Sequence, residues 1–190
     1  MNRKLLSIVL GAAAATLLQG CFPLAVTGVG TAALMATDRR TSGTYIEDET
    51  IEWKVFGRLR DRYPGAHVNA TSYNRRVLLT GEVPNEENKK KVEEDIRTIE
   101  NVKEVTNELQ VAGASSLASR GNDSLVTSNV KARMVNNGKF SPTSVKVLTE
   151  AGVVYLMGLV TQSEGEAAVE VARTTSGVTR VVKVFEYTGK

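Results

Sequence analysis

Two side chains with distinctive chemistry occur once each in the 190 residues: Cys21 is the only cysteine and His67 the only histidine. A hydrolase that uses histidine as the base for a serine or cysteine nucleophile would have to be built around His67, which falls in a predicted strand. There is no His/Cys cluster and no Asp-rich loop of the calcium kind, so the spacing offers no metal site. Glu86, Glu87, Glu93 and Glu94 share a highly charged stretch with Lys89, Lys90 and Lys91. That is the pattern of a solvated helix face, not of a carboxylate pair across a glycan cleft. Gly28 and Gly30 form too short a motif for a phosphate loop. The residues point away from an enzyme.

The N-terminus gives Cys21 a different fate. Arg3 and Lys4 precede an apolar run over residues 5–18 that closes on Leu18-Gln19-Gly20-Cys21. This is too short and wrongly flanked for a spanning helix, and residues 1–20 read as a signal peptide. The ending resembles the lipobox of bacterial lipoproteins. That resemblance implies that Cys21 becomes the first mature residue and carries a diacylglycerol and an N-acyl chain, with no other cofactor. Each buried methylene contributes about 0.8 kcal/mol, and one chain alone holds only marginally, so three chains make a stable anchor. Phe22 stands where lipoproteins kept in the inner membrane of enteric-type bacteria usually carry Asp, which implies an outer-membrane protein facing the periplasm. Loss of Arg3 and Lys4 lowers the formal charge from +3 to +1, too little to suggest nucleic acid. Residues 22–37 are small and apolar with no period of two or 3.6, so 21–45 is read as the lipidated N-terminus and tether.

The elements that must position everything else are duplicated. Val77-Leu78-Leu79-Thr80-Gly81-Glu82-Val83 pairs with Val154-Tyr155-Leu156-Met157-Gly158-Leu159-Val160. Upstream, Ile51, Val55 and Leu59 match Val126, Val130 and Met134; downstream, Val102-Lys103-Glu104-Val105 matches Val178-Thr179-Arg180-Val181. Periodicity predicts helix 49–62, strands 66–72 and 76–83, helix 85–99 and strand 103–111 in the first copy. The second copy reads helix 124–137, strands 144–149 and 153–160, helix 163–175 and strand 179–187. Asn85 and Thr161 are expected N-caps, and the segments around 73–76 and 150–152 are expected to close hairpins. Gly81 and Gly158 mark a bulge or a close helix approach. The expected class is α+β: two tandem domains, 46–112 and 123–190, joined by a linker 113–122. Each is a three-stranded mixed sheet covered by two helices, αββαβ. Sixty-odd residues is near the lower limit for an unstapled core, so the copies are expected to lean on each other.

The duplicated apolar-Gly-apolar strand, the helix after it and the Asn-Val or Gly-Val strand start resemble the BON domain. Two copies behind a lipobox resemble the DolP family of dual-BON outer-membrane lipoproteins. The likeness extends to the tether sequence Ala36-Thr37-Asp38-Arg39-Arg40-Thr41-Ser42-Gly43-Thr44. It implies a monomeric, non-enzymatic protein whose second domain binds anionic phospholipid, such as phosphatidylglycerol or cardiolipin, through its first helix. It also implies support of outer-membrane integrity, a place at the division site, and dealings with outer-membrane protein assembly and peptidoglycan remodelling.

Residues bearing on those expectations are few. Residues 46–112 carry 11 Lys and Arg against 14 Asp and Glu, and residues 124–190 carry 8 against 5, so the second copy is the basic one. Near an anionic bilayer each Lys or Arg gains about 1 kcal/mol, although such charges also serve simply to solvate a surface. On the second copy's first helix the core stripe leaves Leu125 on another face with Ser128 and Asn129. Leu125 is positioned either to dip into lipid or to make a helix-end or inter-copy contact. In the lipid reading Ser124 and Ser128 bond head groups, Lys131 and Arg133 supply charge, and the helix start at Asp123 offers free N–H groups. The resembling family carries tryptophan where this chain has Leu125. In the first copy Trp53 and Phe56 lie off the core stripe and are expected to pack against the second copy or the tether, or to dock an envelope partner.

Overall fold

A computed structural model describes residues 38–189. Cys21, the signal peptide over 1–20, the tether to residue 37 (Gly28 and Gly30 with it) and Lys190 lie outside the described residues.

The first domain runs α1 (Ser42–Arg62), β1 (His67–Tyr73), β2 (Arg76–Val83), α2 (Glu86–Arg97), β3 (Glu104–Asn107) and β4 (Gln110–Val111). The second runs α3 (Leu117–Val135), a 3₁₀ turn (Pro142–Ser144), β5 (Val145–Glu150), β6 (Val153–Val160), α4 (Gln162–Arg173) and β7 (Arg180–Tyr187). Both copies are αββαβ, with β2 antiparallel to β1 and parallel to β3 and β4, and β6 antiparallel to β5 and parallel to β7.

Asn85 and Thr161 cap α2 and α4 as expected. The Thr161 hydroxyl accepts the Glu164 N–H while the Glu164 carboxylate accepts the Thr161 N–H, a full capping box. Both first helices, however, begin seven residues earlier than the apolar period indicates: α1 at Ser42 behind the cap Thr41, and α3 at Leu117 behind the cap Ser116. The two added turns put few side chains on the core stripe, so periodicity does not register them. The expected tether therefore ends inside α1, and much of the expected linker 113–122 is helix. The last strand of the first copy is broken at residues 108–109. There the Asn107 side-chain oxygen accepts the Leu109 N–H at 3.1 Å, and Leu109 turns fully into the core.

Ile51, Val55 and Leu59 of α1 pack on Val77, Leu79 and Val83 of β2 and on Val92 and Ile96 of α2. Val126, Val130 and Met134 of α3 do the same with Val154, Leu156 and Val160 of β6. The other side of each central strand is apolar too, and there the two sheets meet. Tyr73 and Leu78 pack against Tyr155, Met157 and Val184, with Leu148, Val153 and Val182 at the edge. This is why the strands read as continuous apolar runs rather than alternating ones: β2 and β6 are buried on both faces.

The glycines in these strands answer to the backbone alongside them, the start of β1 and the residue just before β5, and not to a covering α-helix. A Cβ at Gly81 would lie 2.1 Å from the His67 carbonyl oxygen, and one at Gly158 would lie 2.3 Å from that of Ser144. Polar contacts stitch the same junction: Lys146 pairs with Glu52 at 2.8 Å, Asn74 donates to Glu186 at 2.7 Å and Asn69 to Glu150 at 2.9 Å. Part of the charge difference between the copies is thus spent between them.

Candidate functional site

The outward face of α3 is the first candidate. Leu117, Leu125 and Val135 are 83 %, 65 % and 64 % exposed. With 3.6 residues per turn, the exposed positions around Leu125 are Gly121, Ser128, Asn129 and Ala132, none of them charged. The opposite stripe of Val126, Val130 and Met134 is buried, and this fixes the helix's rotation. Lys131 is exposed on the flank of that face.

Three details differ from the sequence reading. The Ser124 and Ser128 hydroxyls donate to the carbonyls of Arg120 and Ser124 at 3.0 and 2.9 Å, so both are turned back onto the helix. Arg133 is tied to the end of α4, donating to the Val171 carbonyl and to the Thr174 and Thr175 hydroxyls at 2.7–3.1 Å. Its partners are neutral, so its charge persists, but the guanidinium is held. Asp123 is not a helix start: it sits two turns inside α3, buried, and no N-terminal N–H groups are open there.

Asp123 and its counterpart Asp48 do something the sequence reading missed. The Asp123 carboxylate accepts the N–H groups of Ala151 and Gly152 at 2.9 and 2.8 Å. Asp48 accepts those of Asn74 and Arg75 at 2.8 and 2.7 Å, and the Ser72 hydroxyl at 2.6 Å. These are the two-residue hairpin loops, whose central residues all have positive φ: Asn74 53°, Arg75 66°, Ala151 49° and Gly152 75°. Such loops normally favour Asn-Gly or Gly. A buried carboxylate that grips both loop amides compensates for Arg75 and Ala151, side chains poorly suited to that backbone. The signal was available in the repeat, because each Asp stands three residues before its core stripe begins.

Asp48 also holds the segment that enters α1. Arg40 donates to Asp48 at 2.7 Å and to Asp38 at 2.7 Å, and its guanidinium lies 4.0 Å over the Tyr73 ring and 5.0 Å from that of Tyr45. Burial opposes the charge of Arg40, but the two carboxylates outweigh it and hold its pKa above the ordinary value. The preceding Arg39 makes a bidentate pair with Glu164 of the second domain, at 2.6 and 2.7 Å. The hydrogen bond from Arg39 is the main reason the Glu164 carboxyl is held down to about 2.

The apolar core of the inter-domain contact belongs to the sheet faces and includes neither Trp53 nor Phe56. They are 59 % and 58 % exposed and pack edge-to-face on each other, ring centres 6.4 Å apart. Phe56 borders a groove of about 370 Å³ at the domain junction, with Val68, Asn69, Leu148 and Glu150 among its walls. Contact with residues up to 37 lies outside the described residues. Close to the groove the fold does what sequence spacing gave no sign of. It gathers His67, Glu82 and Glu150 so that one ligand atom from each lies within 4.8 Å of the others. The one histidine bonds to Glu82, its Nδ1 lying 2.8 Å from the carboxylate oxygen. Among the described residues no helix is long and apolar enough to cross a membrane.

The model of the BON domain matches residues 47–113 and again 122–189, the two αββαβ units. The chain is 46 % identical over 187 residues to the outer membrane lipoprotein DolP of Haemophilus influenzae, covering 97 % of this chain and 96 % of that protein. The chain belongs to the BON-domain family, in the DolP branch. A 21 kDa hemolysin of Actinobacillus pleuropneumoniae is 33 % identical over 153 residues, 79 % of each chain. The osmotically-inducible protein Y of Escherichia coli is 27 % identical over 144 residues, covering 73 % of this chain and 72 % of that one. The two units are joined through their sheets, which leaves both helices of each unit on the outward side.

Proposed function

We propose that this protein is an outer-membrane lipoprotein facing the periplasm, acylated at Cys21, whose second BON domain binds anionic phospholipid through the outward face of α3 and thereby supports membrane integrity. The observation that carries the lipid reading is the pairing on one helix of an exposed leucine and an uncharged surround with cations at its flank. Bringing such a face to head groups desolvates no charge, and burying Leu125 contributes about 1.5–3 kcal/mol. Lys131 and the held guanidinium of Arg133 add attraction that depends on anionic lipid and weakens with salt. Likeness to DolP supports the location and the anchor. No step of bond-making chemistry enters this role, and the acyl chains on Cys21 are its only covalent additions.

The test is flotation of non-acylated residues 22–190 with neutral and with phosphatidylglycerol-containing vesicles at low and moderate salt. Binding is expected only to the anionic vesicles and is expected to disappear in Leu125→Asp. Failure of the parent to float removes the lipid reading.

A second reading has its own observation. The edge-to-face pair Trp53 and Phe56 leaves two aromatic rings on the surface of α1 in the acidic first domain, where an outer-membrane assembly or peptidoglycan-remodelling partner would dock. A pull-down that survives Leu125→Asp and fails in Trp53→Ala would favour it.

A further inference from the structure

We propose that His67, Glu82 and Glu150 form a site for one divalent cation of the zinc class, which clamps the first BON domain to the second. His67 and Glu82 are direct cross-strand partners on β1 and β2, while Glu150 closes β5 of the other domain. The site therefore spans the junction, and neither domain can complete it alone.

Three observations carry the assignment. First, Glu82 and Glu150 are 7 % and 9 % exposed, and among the described residues neither has a lysine or arginine partner; the imidazole of His67 is the only basic group with them. Buried charges of one sign are costly unless paired, and a protonated imidazole offsets only one of the two. A divalent ion offsets both. Second, one nitrogen and two carboxylate oxygens lie within 4.8 Å of one another, and ligands held at about 2.0–2.2 Å from a tetrahedral zinc ion stand about 3.3–3.5 Å apart, so the third ligand need draw in only modestly while the His67–Glu82 pair, now 2.8 Å apart, opens slightly to admit the ion. The imidazole selects against calcium and magnesium, which prefer oxygen alone. Third, the ligands already have orienting partners: Asn69 donates to Glu150 at 2.9 Å, and the Ser115 N–H donates to Glu82 at 3.1 Å. Such outer contacts are what hold a ligand set in place. The adjoining groove leaves a path for the ion and for water in the remaining coordination positions.

The site is independent of lipid binding and is tested without vesicles. Zinc chloride is titrated into the detergent-solubilised full chain carrying Cys21→Ser, which removes the competing thiol. Calorimetry follows binding, and NMR follows the one imidazole in the protein, whose signals need no assignment. One equivalent is expected to bind, with the His67 signals moving in step, while calcium and magnesium at the same concentration leave them in place. His67→Ala and Glu150→Gln are each expected to weaken zinc by about tenfold or more. An unmoved imidazole in the parent, equal shifts with calcium, or one-equivalent binding that survives both substitutions would each overturn the proposal. The parent's NMR response decides the matter even if a variant fails to fold.

Discussion

Helices α1 and α3 hold the same place in the two copies and have diverged on one side only. Inward they are nearly superimposable in chemistry: an apolar stripe, an aspartate gripping the hairpin, and an arginine (Arg58 or Arg133) capping the end of the domain's second helix. Outward, α1 carries Trp53 and Phe56 among Lys54, Arg60 and Asp61, whereas α3 carries Leu125 among serine, asparagine, alanine and glycine. The fold requires the inward residues twice, because each sheet makes the same demand. The outward ones are exposed and face no such repeated demand, and this is where the two copies differ.

The comparison is broken most severely at the aspartates. Asp48→Ala should cost roughly 3–5 kcal/mol, because two loop amides and a hydroxyl lose their buried acceptor, at about 1–3 kcal/mol for a buried group left unpaired, and Arg40 keeps only Asp38 of its two carboxylates. Asp123→Ala, which frees only the two amides, should cost about 2 kcal/mol. Urea unfolding of the two variants measures the gap; equal losses would mean that Arg40 contributes nothing.

Next in size is the exposed leucine. Leu125→Asp should lower vesicle affinity by about tenfold or more, and Leu125→Trp should raise it several-fold, since more apolar surface would be buried. Thr50→Leu, the matching change in α1, should add no binding. If it does, a bare leucine on either helix suffices and the uncharged surround of α3 is irrelevant.

The arginine caps sharpen the contrast further. Arg58 reaches the Asp95 carboxylate as well as a carbonyl and a hydroxyl, while Arg133 meets neutral groups alone. Arg58→Ala should cost about 1.5 kcal/mol and less at high salt; Arg133→Ala should cost about 1 kcal/mol with little salt dependence. Thermal unfolding at two salt concentrations separates them.

The smallest effect is acid sensitivity between the domains. The folded Glu164 carboxyl lies at about 2 against 4.5 unperturbed, so its stabilisation is fully present above about pH 4.5 and is lost as the pH falls toward 2. Arg39 is 36 % exposed, and screening limits the pair to under about 1 kcal/mol. Glu164→Gln should flatten that part of the pH–stability curve and leave the neutral region nearly unchanged.

The repeat, the strand pairs and the caps Asn85 and Thr161 were legible because they rest on local chemistry and short periods. The early helix starts were not, since Gly43, Gly121 and Asn122 look like loop residues and the turns around them bury little. The aspartate clamps and the His67–Glu82–Glu150 group were hidden for another reason: each aspartate lies 24 residues or more from the hairpin groups it grips, and the three members of the second group lie on three strands of two domains. Arg133 was expected to supply charge to a lipid-facing helix, and its tether to α4 depends on packing that no single-helix pattern contains.

The paired arginines at the entry to α1 also determine how a pull is carried. Tension arriving from the membrane side of the chain meets Arg39 first, whose two parallel bonds end in the second domain, and then Arg40, whose bonds end in the first. A pull applied at residue 38 is therefore shared between both halves before it can peel the first turn of the helix. Membrane undulation would move the fused pair as one piece.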